Sequence, residues 1–192
     1  MRLNKIFFKI SILLLATGCS YYSLKGPIPS HLNKVIVTPV INETTEFGLG
    51  EELHDNLIEL ILDENILSVT DYEKADCKID ITIIKITDNP DVILSNNTGY
   101  ESVNQWKISI QASLLWYDML KNETIIEKDI IESVVYSYDN DISLDGIDND
   151  LDGLIDSEDT DEVLIGTPRD SAIKLSMNKL TKRILNELTS TW

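Results

Sequence analysis

Two stretches carry side chains whose types and spacing could do chemistry. In the first, Asp148, Asp150 and Asp152 place carboxylates at alternate positions, Gly153 follows at once, and Asp156 and Asp159 complete a twelve-residue span. Hard oxygen ligands at this spacing can converge on one divalent cation only if the chain turns sharply, which glycine permits. Leu154 would add its backbone carbonyl, and Ile155 stands at an apolar place beside it. The second is Cys19, a thiol preceded by the small residues Ala16, Thr17 and Gly18, which leave room for an enzyme to modify and cut the chain there.

The carboxylate span resembles an EF-hand-type calcium loop, with Asp148, Asp150, Asp152, Leu154, Asp156 and Asp159 as the ligand set. It departs from that pattern at Asp159, where glutamate is usual, and no helical pattern precedes Asp148. The competing reading is a solvated acidic linker between the last strand and the last helix. Calcium is preferred because so many like charges in one segment repel unless a cation draws them together.

The stretch Met1 to Cys19 resembles a bacterial lipoprotein signal ending in a lipobox. Arg2, Lys5 and Lys9 make a positive start, and Ile6 to Ala16 is a mostly apolar run. That run is shorter than the roughly 20 apolar residues a permanent membrane helix needs. The resemblance implies cleavage after Gly18, with diacylglyceryl and N-acyl chains on Cys19. Several acyl chains hold durably where one binds only marginally. An ordinary signal peptide that happens to end near a cysteine is the alternative. Ser20, rather than Asp, fits sorting to the outer membrane by the rule for such lipoproteins.

These features divide the chain into a signal over 1–18, a lipidated tether over 19–32, and a single domain over 33–192 with an acidic insertion at 139–162. Removing the signal takes three of the 16 basic residues and none of the 33 acidic ones, so the mature charge is 13 minus 33, or −20. Eleven of the acids lie in 139–162. Such a balance argues against a nucleic-acid partner, because phosphates are bound by clustered Lys and Arg. With Cys19 acylated, Cys77 is alone and no intramolecular disulfide follows.

Gly26, Pro27 and Pro29 make the tether extended, with His31 solvated near its end. The β-branched run Lys34 to Ile41 is a strand ended by Pro39. Leu49, Leu53, Leu57, Leu60 and Ile61 recur at helical period, with Glu51 and Glu52 in the first turn, where acids suit the helix dipole. Cys77 to Thr87 alternates as a strand, shifts parity at Ile84 and Ile86 as a bulge would, and is broken by Asp88-Asn89-Pro90. Residues 91–104 then read as a loop. From Trp106 to Trp116 the alternation is the longest in the chain, Lys121-Asn122-Glu123 turns, and Thr124 to Tyr138 returns as an antiparallel strand. Thr167-Pro168-Arg169-Asp170 is a helix start, after which Ile173, Met177, Leu180, Ile184, Leu188 and Trp192 form an apolar stripe. Its opposite side carries Lys174, Lys179, Lys182 and Arg183, and core packing by the stripe is the plain reading.

The order strand, helix, strand, strand, strand, helix is an α+β arrangement. It predicts a two-layer sandwich, two helices packed on one face of a four-stranded mixed sheet with the first two long strands parallel. Ile79, Ile81, Trp106, Ile108, Ile110 and Leu114 would fill the core. Ile125, Ile131 and Val135 fall on the outer side of the last strand and predict a partner there. Nothing in the sequence has a catalytic pattern: His31 and His54 lack a nucleophile in an elbow, and no glycine loop cradles phosphate. The protein is expected not to be an enzyme.

Taken together, the lipobox, the Gly and Pro tether, the strand KVIVTPVINETT leading into a helix, the Ala75-Asp76 entry to the next long strand, the long hairpin and the closing helix ending in Trp192 resemble the LptE family of lipopolysaccharide-assembly lipoproteins. That resemblance covers the mature chain outside 139–162. It implies a non-enzymatic outer-membrane lipoprotein on the periplasmic side. Its implied partners are an LptD-like barrel, which it plugs and helps assemble, and lipopolysaccharide. No lipid-contacting residue carries over, and Lys107, Lys121 and Lys128 are candidates by charge alone. The alternative function is a periplasmic regulator or pore subunit of an envelope complex, since strands of the KVIVTPV type open several lipoprotein families.

Overall fold

The computed structural model describes residues 28–95, 101–137 and 167–190. Its elements are β1 (Lys34–Val37), β2 (Ile41–Asn42), α1 (Leu49–Asp63), β3 (Ser68–Val69), a 3-10 turn (Tyr72–Lys74), β4 (Cys77–Ser95), β5 (Glu101–Asp118), β6 (Glu123–Tyr136) and α2 (Pro168–Ser190). The expected α+β plan holds, but the sheet has six strands rather than four. They run in the order β3-β1-β4-β5-β6, with β2 also beside β4.

Pro39 accounts for one added strand. Without an N–H it cannot continue the ladder, so β1 ends at Val37 and pairing with β4 resumes at Ile41. Across the gap Thr38 donates from both its N–H and Oγ1 to the Ile79 carbonyl. The second addition is β3, which pairs parallel to β1 through Lys34 and Val35. The parallel pairing of β1 with β4 and the antiparallel β5–β6 hairpin are as the sequence predicts. So is a register shift between Ile83 and Lys85.

The predicted break at Asp88-Asn89-Pro90 is corrected, as is the predicted loop at 91–95 and 101–104; its residues 96–100 lie outside the described ones. β4 continues to Ser95 and pairs with β5 from Glu101 onward, with irregularities at Pro90 and Val92. Proline is tolerated because β1 and β2 flank β4 only as far as Ile83, so its missing N–H falls on a free edge.

One core lies between the sheet and the two helices. It takes Cys77, Ile79, Ile81 and Ile83 from β4, Ile108 to Trp116 in alternation from β5, and Ile126, Ile130 and Val134 from β6. Leu49, Leu53, Leu57 and Ile61 of α1 and Ile173, Met177, Leu180, Ile184 and Leu188 of α2 close it. Trp106 is only partly buried at its edge, and Ile125, predicted to face outward, also packs against it. Ile131 at 59% and Val135 at 39% exposure do face outward, on the side that no described helix covers.

The body has two ends. At the near end, residues 28–34, the segment before Cys77 and the β5–β6 turn meet, since Cys77 and Glu123 both pair with Asp118. At the far end lie Tyr136, the start of α2, and the ribbon that β4 and β5 extend past Pro90.

Candidate functional site

Cys19 and the span holding Asp148, Asp150, Asp152, Leu154, Asp156 and Asp159 lie outside the described residues, as does Trp192. Among the described residues no group of His, Cys, Asp and Glu could hold a metal, and no helix is long and apolar enough to cross a membrane. The polar constellations that the fold does build stand at its two ends.

At the near end the tether reading is corrected for residues 28–32. Ile28 and Leu32 are buried, at 8% and 1% exposure, so this stretch belongs to the body. His31, expected to be solvated, donates from Nε2 to Asp118 Oδ2 at 2.6 Å. Asp118 Oδ1 also accepts the N–H groups of Leu120 and Lys121, each at 2.9 Å, and so shapes the turn into β6. Burial pushes the Asp118 carboxyl up, but His31 and the two N–H groups outweigh it and hold it below the usual range. Beside it, Asp76 Oδ2 accepts the N–H groups of Asn33 and Lys34, both at 2.9 Å. Three sequence-distant pieces are thereby fastened together.

At the far end Arg169, in the first turn of α2, donates from Nη2 to Glu46 at 2.7 Å and from Nε to Asp88 at 2.9 Å. Tyr136 donates its hydroxyl to the same Asp88 oxygen at 2.8 Å. The other oxygen, Oδ1, is buried with no hydrogen-bond partner among the described residues. Hydrogen bonds to Glu46 and Asp88 raise the Arg169 pKa further against a smaller cost of burial. The predicted cap is present: Thr167 donates from N and Oγ1 to Asp170 Oδ2, at 2.8 and 2.9 Å, which holds the Asp170 carboxyl low. The sequence marked Arg169 and Asp170 only as a helix start, and no local pattern ties them to Asp88 or Glu46.

A groove lies between the helix starts, lined by Glu46, Phe47, Leu49, Glu52, Ile173 and Lys174, with Phe47 almost fully exposed. Burial raises the Glu52 carboxyl against the opposing pull of Lys174. His54 is half-buried, its Nδ1 near Asp55 and its Nε2 3.4 Å from the Val37 carbonyl. Of the lysines singled out by charge, Lys128 pairs with Glu187 at 2.7 Å and Lys121 with Glu123 at 3.5 Å, while Lys107 is exposed on the outer sheet face. Cys77 is buried as expected. Burial pushes its thiol up to about 11, with the Trp116 indole N–H a smaller opposing pull, so it is an inert core group.

No protein-family model and no characterised protein matches the sequence. Among solved structures, the hypothetical protein CT253 of Chlamydia trachomatis is similar at a TM-score of 0.51 and 13% identity, over 84% of this chain and 99% of that one. An uncharacterized lipoprotein B of Nitrosomonas europaea aligns at 0.49 and 12%, over 85% of each chain. The PelC dodecamer of Paraburkholderia phytofirmans aligns at 0.43 and 11%, over 86% of this chain and 95% of that one. The first likeness shows a shared α+β fold and nothing further, and the other two carry no argument.

Proposed function

We propose that this chain is a non-enzymatic lipoprotein of the cell envelope, held by acyl chains on Cys19 to the periplasmic side of the outer membrane. On this reading it plugs and helps assemble an LptD-type barrel and assists lipopolysaccharide transport. The observation that carries the docking part of the reading is the outer face of the sheet. No described helix covers it, and Ile131 and Val135 stand exposed on it at β6. Such a face fits a large partner wall better than it fits bulk water. Lipopolysaccharide and the barrel come from the resemblance to the LptE family, and calcium comes from the separate resemblance of Asp148 to Asp159 to an EF-hand-type loop.

The test is a pull-down from detergent-solubilised outer membrane, combined with depletion of the chain. Copurification of a barrel protein whose yield falls on depletion is the expected result. Normal barrel yield together with normal surface lipopolysaccharide after depletion refutes it. A ring or other self-assembly of the purified chain, in place of a monomeric mass, would favour the pore-subunit alternative.

A further inference from the structure

We infer that the near end of the domain, through Leu120 and Tyr72, is a membrane-contact surface that seats directly on the bilayer holding the Cys19 lipid. The inference rests on the lipid-anchor part of the proposed function and not on the barrel or the lipopolysaccharide.

Chain length sets the first constraint. Ile28 is buried in the body, so only residues 20–27 separate the domain from Cys19. Nine Cα steps reach at most about 30 Å when fully extended. The fastening described above prevents the chain from lengthening this reach by peeling. His31 is tied to Asp118, the N–H groups of Asn33 and Lys34 are tied to Asp76, and Leu32 is 1% exposed. The near end is therefore held within that distance of the lipid surface. The tip of the β4–β5 ribbon lies eighteen residue steps along β4 from Cys77, about 60 Å at the usual rise.

The chemistry of the near end is the second, independent observation. Its two projecting turns each present a large apolar or aromatic side chain: Leu120 is 61% exposed and Tyr72 is 60% exposed. Leu120 sits on a turn made rigid by Asp118, so its exposure is built into the backbone. Tyrosine, with an apolar ring and a polar tip, suits the headgroup boundary. Lys34, Lys74 and Lys121 are outnumbered there by Asp63, Glu64, Asp71, Glu73, Asp76, Asp118 and Glu123, so the near end carries no basic excess. Contact is thus by apolar insertion and needs no anionic lipid. The described flanks of the acidic segment 139–162, Tyr136 and Thr167, both lie at the opposite end.

The test uses the full-length acylated protein in vesicles of phosphatidylethanolamine with a minor fraction of phosphatidylglycerol. A nitroxide is placed at Leu120→Cys or, at the far end, at Val103→Cys. Cys77 is buried with its thiol pushed up to about 11, so it stays unlabelled. Collision with oxygen is compared with collision with a water-soluble nickel chelate. The label at 120 is expected to show a several-fold higher ratio of oxygen to nickel collisions than the label at 103, unchanged in high salt. With Cys19 shown by mass spectrometry to be acylated, equal aqueous exposure at both sites overturns the seating alone. Loss of the difference in high salt overturns apolar insertion. An unacylated Cys19 in the same preparation overturns the anchor reading and this inference with it.

Discussion

His31 and Asp118, 87 residues apart in the chain, share a 2.6 Å hydrogen bond at the near end of the sheet, and Asp118 is only 1% exposed. Replacing Asp118 with alanine leaves two turn N–H groups and the imidazole without their acceptor. Removing this part-buried set of hydrogen bonds to a charged group costs about 3 kcal/mol in total. In a protein of this size that lowers Tm by roughly 6 to 12 °C. Calorimetry of the folded domain checks the loss. Limited proteolysis should show cleavage between Ile28 and Lys34 in the variant first.

Arg169→Met should destabilise by about 2 kcal/mol, because Glu46 and Asp88 both lose their cation and the half-buried Asp88 carboxylate keeps only the Tyr136 hydroxyl on Oδ2. Tyr136→Phe removes one hydrogen bond to the same carboxylate and should cost about 1 kcal/mol. Urea unfolding of the two variants and their combination measures the coupling. Strict additivity would mean that the three groups do not act as one network.

Gly50 lies in the first turn of α1 where an added Cβ would meet the Val40 carbonyl oxygen at 2.9 Å. Alanine there must push the helix away from the segment joining β1 and β2, at a cost of about 1 to 3 kcal/mol, despite its better helix propensity. Equal or higher thermal stability of Gly50→Ala would contradict this packing.

Acid should destabilise the fold through Asp118, Asp170 and Glu187, whose carboxyls are all held low. A carboxyl with a lower pKa in the folded state binds fewer protons there than when unfolded. Its stabilisation is full above the unfolded value and fades as pH falls through the folded one. Glu52 is raised, so its sign is opposite: its charged form disfavours folding as pH rises past its unfolded value. Glu52→Gln should therefore raise Tm at neutral pH and lose that advantage in acid. A gain that persists unchanged below the carboxylate range would be inconsistent with this assignment.

Calcium titration of the purified mature domain should give heat of binding that disappears in the combined Asp148→Asn, Asp150→Asn and Asp152→Asn variant. No heat at millimolar calcium would leave residues 139–162 as an acidic linker. Separately, Cys19→Ser should shift the protein from the membrane to the soluble fraction of lysed cells.

Period alone made much of the fold legible. Strict alternation from Trp106 to Trp116 and the stripe from Ile173 to Leu188 determined which faces turn inward, because burial selects one side of a strand or helix wherever the apolar residues share it. The Thr167 to Asp170 cap was equally legible, since its partners lie three residues apart. Asp88-Asn89-Pro90 misled, because those residues end strands in isolation. What sustains the strand through them is pairing with β5, a property of the partner and not of the segment.

The sequence by itself determined the periodic elements, their inward faces and the charge segregated into 139–162. Only the tertiary structure decided that residues 28–34 are fastened to the body, that β2 and β3 widen the sheet, and that Arg169 meets Asp88 across 81 positions. The physical reason is range. Side-chain period and capping act over a few residues and can be read locally, whereas a hydrogen bond between distant residues exists only after the core has brought their backbones together.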